Sequence, residues 1–283
     1  NGEVDLTINI KQTKALPDNV SFVATPYAQL SLVLLTHGAA VAREQHPTIA
    51  AIRGFDYHGQ RQVLGDKGYS FIDLPDSISA VEMFIKGRSS ALLTYEAPFN
   101  YYLQQQALPM LQQLALTTGL SSHLALPHAK GALLVEVCDS PNPLRLAARP
   151  GSIADFNCSA AGKVFLAFHH FDRLTALAEA GLFKRRTSHS LVQPNELTTE
   201  LQRVLARGYA SDEMEYHDDV RCLAVPVRDA QGCVVAAVGI TGPLQLFAKK
   251  VQTDLIASVK QTAIDIALST YRPQLVANSA RGQ

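Results

Sequence analysis

The stretch "CLAVPVRDAQGCVVAAVGITGP", residues 222–243, places two apolar runs on either side of the turn Asp229-Ala230-Gln231-Gly232. Apolar segments that flank a short turn ending in glycine are typical of a β-hairpin. The segments "SSHLALP" (121–127) and "GALLVEVC" (131–138) repeat this pattern around Lys130-Gly131. The C-terminal part of the chain is therefore predicted to hold an antiparallel sheet.

Helical periodicity surrounds these strands. The stretch "NYYLQQQALPMLQQLALTTG" (100–119) places Leu103, Ala107 and Leu111 on one face, and Pro109 predicts a kink or a helix start. Further helices are predicted at "FDRLTALAEAG" (171–181), at "ELTTELQRVLARG" (196–208), and around Leu255, Val259 and Ile266. Helices packed on an antiparallel sheet form an α+β sandwich.

Small residues precede an apolar run in "NCSAAGKVFLAF" (157–168), which predicts another helix start. Asn157 or Ser159 is expected to cap the free amides of the first turn. Such a terminus attracts anions, so a ligand could approach the backbone there. The alternative interpretation is that the small residues only let the helix pack closely on the sheet.

Residues 1–94 predict a different, mixed α/β region. Strands are predicted at "DLTINI" (5–10), "TIAAIRGF" (48–55) and "YSFIDL" (69–74), and a mostly buried helix at "YAQLSLVLLTHGAAVARE" (27–44). The segment "SISAVEMFIKGRSSALLTY" (77–95) predicts a helix followed by a strand.

Composition limits the function classes. The 283 residues are 47% hydrophobic and 18% charged, and 25 basic residues balance 25 acidic ones, so no global field draws the chain to nucleic acid or to a membrane. Its four cysteines form no CxxC pair, which favours reduced intracellular thiols over disulfides or a zinc site. With no apolar run of transmembrane length and no signal-peptide pattern, a cytoplasmic protein without cofactor, metal or membrane partner is expected.

Five stretches in series carry a family resemblance. They are "ALPMLQQLALTTG" (107–119), "CSAAGKVFLA" (158–167), "ELTTELQRVLARGYASDEMEY" (196–216), "VRCLAVPVRDAQGCVVAAVGITGP" (220–243) and the closing helix. Residues 95–272 thereby resemble the effector-binding domain of the IclR family of bacterial transcriptional regulators. The resemblance implies a GAF- or profilin-like sheet domain that senses a small carboxylate-like molecule in a homodimer or tetramer. Residues 1–94 stay an unassigned region and 273–283 a C-terminal tail.

The resemblance also implies the site residues. The ligand would lie against the backbone amides of Ala160 and Ala161, with further contacts from Asp212, Cys222, Gly239 and Thr241. Family members often carry Ser-x-Ser where this chain has Gly239-Ile240-Thr241, so one hydroxyl is lost. We expect this loss to leave room for a bulkier or less polar ligand than a small glyoxylate-like one. Apolar lining is expected from Leu146, Phe156 and Val220.

A regulator of this family would read DNA through a helix-turn-helix in residues 1–94. The best candidate, residues 39–74, carries few basic residues, and "TIAAIRGFDY" within it favours a strand. One alternative is therefore a sensor without DNA binding that signals through a protein partner. Another is an enzyme with Cys222, His217 and Asp212 as nucleophile, base and orienting group. The leading hypothesis is a cytoplasmic metabolite sensor that regulates transcription by modulating DNA binding, and it needs no catalytic residue.

Overall fold

This computed structural model describes residues 32–36, 46–141, 149–229, 232–247 and 249–271. The chain divides into two compact units, of which the second runs from Leu103 to Arg272. The boundary between them falls inside the helix Glu96–Thr118.

The first unit holds a four-stranded mixed sheet. Its strands are β1 (Leu32–Thr36), β2 (Thr48–Ile52), β3 (Ser70–Leu74) and β4 (Ala91–Tyr95), and its helices are α1 (Gln60–Asp66) and α2 (Ser77–Ile85). The strand order is β1-β4-β2-β3, with β2 parallel to both β3 and β4 and β1 antiparallel to β4. The apolar sequences of β2 and β4 suit parallel strands buried on both faces.

The helix predicted over residues 27–44 is wrong at Leu32–Thr36, which form a strand paired with β4. A continuous apolar run fits a buried strand as well as a buried helix, and here sheet pairing decides. The strand predicted at residues 5–10 lies outside the described residues.

The candidate helix-turn-helix at residues 39–74 does not form in its described part. Residues 46–74 fold instead as β2, α1 and β3, with the two strands parallel, so the strand prediction within this stretch is confirmed. An Arg61 side chain that donates to the carbonyls of Ile52 and Phe55 fixes the loop between β2 and α1.

The second unit holds a six-stranded antiparallel sheet. Its strands are β5 (Ser121–His128), β6 (Gly131–Cys138), β7 (Ile153–Asp155), β8 (Ala210–Glu213), β9 (Val220–Arg228) and β10 (Val234–Pro243), in the order β7-β6-β5-β10-β9-β8. The hairpin predicted from residues 222–243 is confirmed as β9 and β10. The three-residue β7 and four-residue β8 were not predicted, because such short strands carry no readable alternation.

Helices cover this sheet, which confirms the predicted α+β class. They are α3 (Glu96–Thr118), α4 (Ala160–His169), α5 (Leu174–Glu179), α6 (Pro194–Arg207) and α7 (Lys249–Tyr271). Helix α4 packs on β6, β8, β9 and β10, and its apolar side chains form one core with Ala125, Ala224 and Ala237 of the sheet. Helix α7 also packs on β9 and β10, but none of its buried residues joins that core, which places α7 on the opposite face.

The start of α4 follows the capping prediction. Ser159 is the N-cap, and its Oγ accepts from the Gly162 amide at 2.9 Å. Gly162 itself lies against the preceding backbone, because a Cβ there would be 2.2 Å from the Asp155 carbonyl oxygen. The small residues therefore do allow close packing, and the same packing fixes where the first-turn amides lie.

Candidate functional site

Two neighbouring rows of side chains cross the sheet on the α4 side. Cross-strand pairing aligns Ser121, Thr241, Cys222 and Asp212 in one row, called here the Asp212 row. It aligns His123, Gly239, Ala224 and Ala210 in the next, called the His123 row. Side chains alternate along a strand, so both rows face the same way as the alanines packed against α4.

The first turn of α4 brings two backbone donors to this face. Ala160 and Ala161 are buried, and no acceptor for their amides is found among the described residues. The amides of a first helical turn carry the positive end of the helix dipole. A carboxylate placed here would satisfy both groups.

The two carboxylate oxygens of Asp212 have different surroundings. Its Oδ1 accepts from the amides of Glu215 at 2.7 Å and Tyr216 at 3.2 Å, which closes the turn after β8. Its Oδ2 is buried and has no partner in the described part of the chain. Loss of hydration raises the pKa of Asp212 to about 6, although the two amides, the Lys163 charge and the neighbouring Cys222 thiol oppose the shift.

A buried ion pair lies beside Asp212. Lys163 is fully buried one turn into α4, and its Nζ is 2.5 Å from Oε1 of Glu215. Burial raises the pKa of Glu215 to about 7, opposed by Lys163 and reinforced by Asp212. Two carboxylates thus lie near one ammonium group, which pairs only with Glu215, and protons taken up near neutral pH relieve the excess negative charge.

This excess gives a pH prediction. The pKa values of Asp212 and Glu215 are higher in the folded than in the unfolded protein, so the protonated carboxyl groups favour the folded state. This contribution to stability is complete below about pH 4 and is lost as the pH rises through 6 and 7. Asp212→Asn removes one buried charge, so its melting temperature relative to wild type should be higher at pH 8 than at pH 5. Thermal melts at the two pH values test this, with Asp218→Asn, an exposed neighbour, as control. A difference that does not change with pH would contradict it.

Cys222 and Thr241 form the centre of the Asp212 row. The Cys222 Sγ is 3.0 Å from the Thr241 Oγ1. Burial, and then the neighbouring Asp212 charge, raise the pKa of the Cys222 thiol well above its usual value. The cysteine is therefore a neutral, weakly polar wall at neutral pH.

The expected extra room at Gly239 is not there. A Cβ on Gly239 would lie 2.6 Å from Nε2 of His123 and 2.6 Å from the Leu223 carbonyl oxygen. The imidazole of His123 occupies the space that a serine at this position would need. The prediction of a larger pocket from the lost hydroxyl was wrong because the sequence does not show which side chain lies opposite Gly239.

The three predicted lining residues have different outcomes. Phe156 is buried, edge-on to the His170 ring with centroids 5.5 Å apart. Val220 is buried two residues before Cys222, on the same face of β9. Leu146 lies outside the described residues.

Comparison with known proteins identifies the second unit. The family model described as "Bacterial transcriptional regulator IclR C-terminal" matches residues 100–268, more than half of the chain. The chain belongs to the IclR family. The resemblance read from the sequence is thereby confirmed.

Individual relatives of this IclR-family chain are regulators. It is 29% identical to the HTH-type transcriptional regulator KdgR of Dickeya chrysanthemi, over 59% of this chain and 55% of that protein. It is 30% identical to the glycerol operon regulatory protein of Streptomyces coelicolor, over 57% and 63%. The crystal structure of transcriptional regulator YaiJ matches with a TM-score of 0.57 and 26% identity, over 59% of this chain and 94% of that one. The IclR-family chain thus spans less than two thirds of the curated relatives it matches.

Sequence reasoning missed three residues of this IclR-family site, namely Lys163, Glu215 and His123. Lys163 had a usable signal, since it is a lone charge on a helix whose neighbours are small or apolar. Glu215 lies 52 residues away in the chain, and His123 faces Gly239 only through strand register, so neither carried a local signal.

In the described part of this IclR-family chain, no helix combines the length and apolar character needed to cross a membrane.

Proposed function

We propose that the second unit is an effector-binding domain that takes a small carboxylate at the start of α4, and that the chain regulates transcription in response. The observation that carries this proposal is one buried face where, within the described part of the chain, the amides of Ala160 and Ala161 find no acceptor and the carboxylate oxygens Asp212 Oδ2 and Glu215 Oε2 find no donor. Buried polar groups without partners are rare in folded proteins, and a ligand supplies the missing partners here.

The chemistry of the site selects the ligand. The carboxylate accepts from the two α4 amides, and the Thr241 hydroxyl is a further donor. Asp212 accepts from a hydroxyl or amide of the ligand when it is ionised, and donates when it is protonated. Lys163 lowers the electrostatic cost of bringing an anion near two carboxylates, and protonation of either carboxylate lowers it further.

A regulatory rather than an enzymatic role is also supported by the geometry around Cys222. The raised thiol pKa argues against a thiolate nucleophile. His217 is exposed, and its Nδ1 accepts from the Asp219 amide at 3.3 Å instead of pairing with the thiol. We therefore propose no catalytic residue and no cofactor.

The wider assembly is proposed from the family. Residues 95–272 would form the sensor of a cytoplasmic homodimer or tetramer, and residues 1–94 are the candidate for DNA binding. The described residues of the first unit form a mixed sheet, in which helices connect the parallel strands β2, β3 and β4, instead of a helix-turn-helix. This favours a second candidate, a sensor that signals through a protein partner. A low-salt DNA shift assay with family-type operators separates the two, because only the regulator retards DNA.

The ligand proposal is tested by thermal shift of the whole protein with small and aromatic carboxylic acids. We expect at least one acid to raise the melting temperature by several degrees, since ligand at 100 times Kd adds ~2.7 kcal/mol of stability. Asp212→Asn, which keeps an oxygen for the two amides, should weaken the response, and the exposed Asp218→Asn should not. Equal responses in all three proteins would refute the assigned site.

A further inference from the structure

In the His123 row, His123 is the one large side chain, and the other three residues are small. The row runs Ala210, Ala224, Gly239 and then the imidazole, which lies over Gly239. On its other side His123 faces Val137 of β6, which packs against the α4 core. Only 6% of the His123 surface is accessible, so the ring is enclosed on the ligand-facing side of the sheet.

No hydrogen bond of the His123 ring nitrogens is found within the described part of the chain. Burial lowers the pKa of His123 to about 4, so the ring is neutral at physiological pH. A neutral imidazole offers one N–H donor and one acceptor, so it can both donate to and accept from a ligand group.

The neighbours of His123 indicate what the partner is. Thr241 lies one row away on the adjacent strand, a diagonal separation of about 7–8 Å. A ligand whose carboxylate contacts the Thr241 hydroxyl can therefore place a second oxygen, a few bonds away, within reach of His123. The hydroxyl lost at Gly239 is replaced on the same floor by an imidazole that both donates and accepts.

We propose that His123 is a specificity-determining residue that binds a hydroxyl group of the effector, so that the site selects hydroxycarboxylates over the matching acids without the hydroxyl. The carboxylate binds at Ala160, Ala161 and Thr241, and the hydroxyl forms its hydrogen bond with His123. This inference rests on the proposed function of the site. It adds the second polar group of the ligand and the residue that recognises it.

The experiment uses matched acids as probes: acetate with glycolate, propionate with lactate, and benzoate with 4-hydroxybenzoate. Calorimetric titration gives Kd for each acid with wild type, with His123→Leu, and with the exposed control His189→Leu. A neutral hydrogen bond contributes about 0.5–1.5 kcal/mol, so in at least one pair the hydroxy acid should bind wild type about two- to twelvefold more tightly. His123→Leu should abolish that preference and leave the Kd of the plain acid within about twofold. His189→Leu should keep the preference.

A direct readout accompanies the affinities. The 15N resonances of the His123 ring in wild type should shift on addition of the hydroxy acid and not of its partner. This measurement decides the matter if His123→Leu fails to fold. A preference that survives in His123→Leu, wild type that does not discriminate within any pair, or ring resonances that ignore the hydroxyl would overturn the role of His123. If no acid of either kind binds wild type, the proposed function of the site fails first.

Discussion

Replacing Lys163 with methionine is expected to destabilise the second unit by about 3–5 kcal/mol at pH 8. The side chain is fully buried, and its ammonium group is the partner of Glu215 at 2.5 Å. Removing one member of a buried ion pair leaves an uncompensated buried charge. Here it leaves two carboxylates, Asp212 and Glu215, with no cation between them.

The loss in Lys163→Met should shrink at pH 5, because both carboxyl groups already titrate at about 6 and 7 and take up protons there. Urea denaturation at the two pH values measures it. Lys86→Met is the matched control, since Lys86 forms a partly exposed i,i+4 pair with Glu82, and surface pairs of this kind contribute at most about 1 kcal/mol. Similar losses of unfolding free energy in both variants would show that the buried Lys163–Glu215 pair contributes no more stability than the Lys86–Glu82 pair.

Replacing Gly162 with alanine is expected to lower the free energy of unfolding by about 3 kcal/mol. The new Cβ would lie 2.2 Å from the Asp155 carbonyl oxygen and 2.6 Å from that of Phe156. Both are backbone atoms, so α4 or the preceding loop must shift, which strains a packed core. Because the shift moves the amides of Ala160 and Ala161, the response to carboxylic acids should fall as well.

The control for Gly162→Ala is Gly65→Ala on α1. A Cβ at Gly65 meets no atom within 4 Å, so this variant should be neutral or gain up to ~1 kcal/mol of helix propensity. Chemical denaturation and acid titration of both variants make the comparison. A stable Gly162→Ala protein with an unchanged ligand response would mean that the start of α4 does not fix the site.

The antiparallel sheet could be predicted from the sequence because its signals are local. The turn at Asp229–Gly232 separates two apolar runs. Ser159, a residue type that commonly caps helices, directly precedes an apolar helix. The strand at Leu32–Thr36 could not be predicted, since its apolar run reads equally as a helix until β4 pairs with it.

The site residues divide in the same way. Asp212, Cys222 and Thr241 could be named by family resemblance, and the structure places them in one cross-strand row. The Lys163–Glu215 pair joins α4 to a distant turn, and only the folded chain brings its two members together. The conflict between a side chain at residue 239 and the His123 ring depends on strand register, which no short motif encodes.

The most direct test of a carboxylate site at α4 is a crystal structure of the protein with the acid that most raises its melting temperature. We predict a carboxylate oxygen within hydrogen-bond distance of the Ala160 and Ala161 amides, and a ligand donor facing Asp212 Oδ2. An acid bound elsewhere on the chain, or bound here with its carboxylate turned away from both amides, would contradict the account.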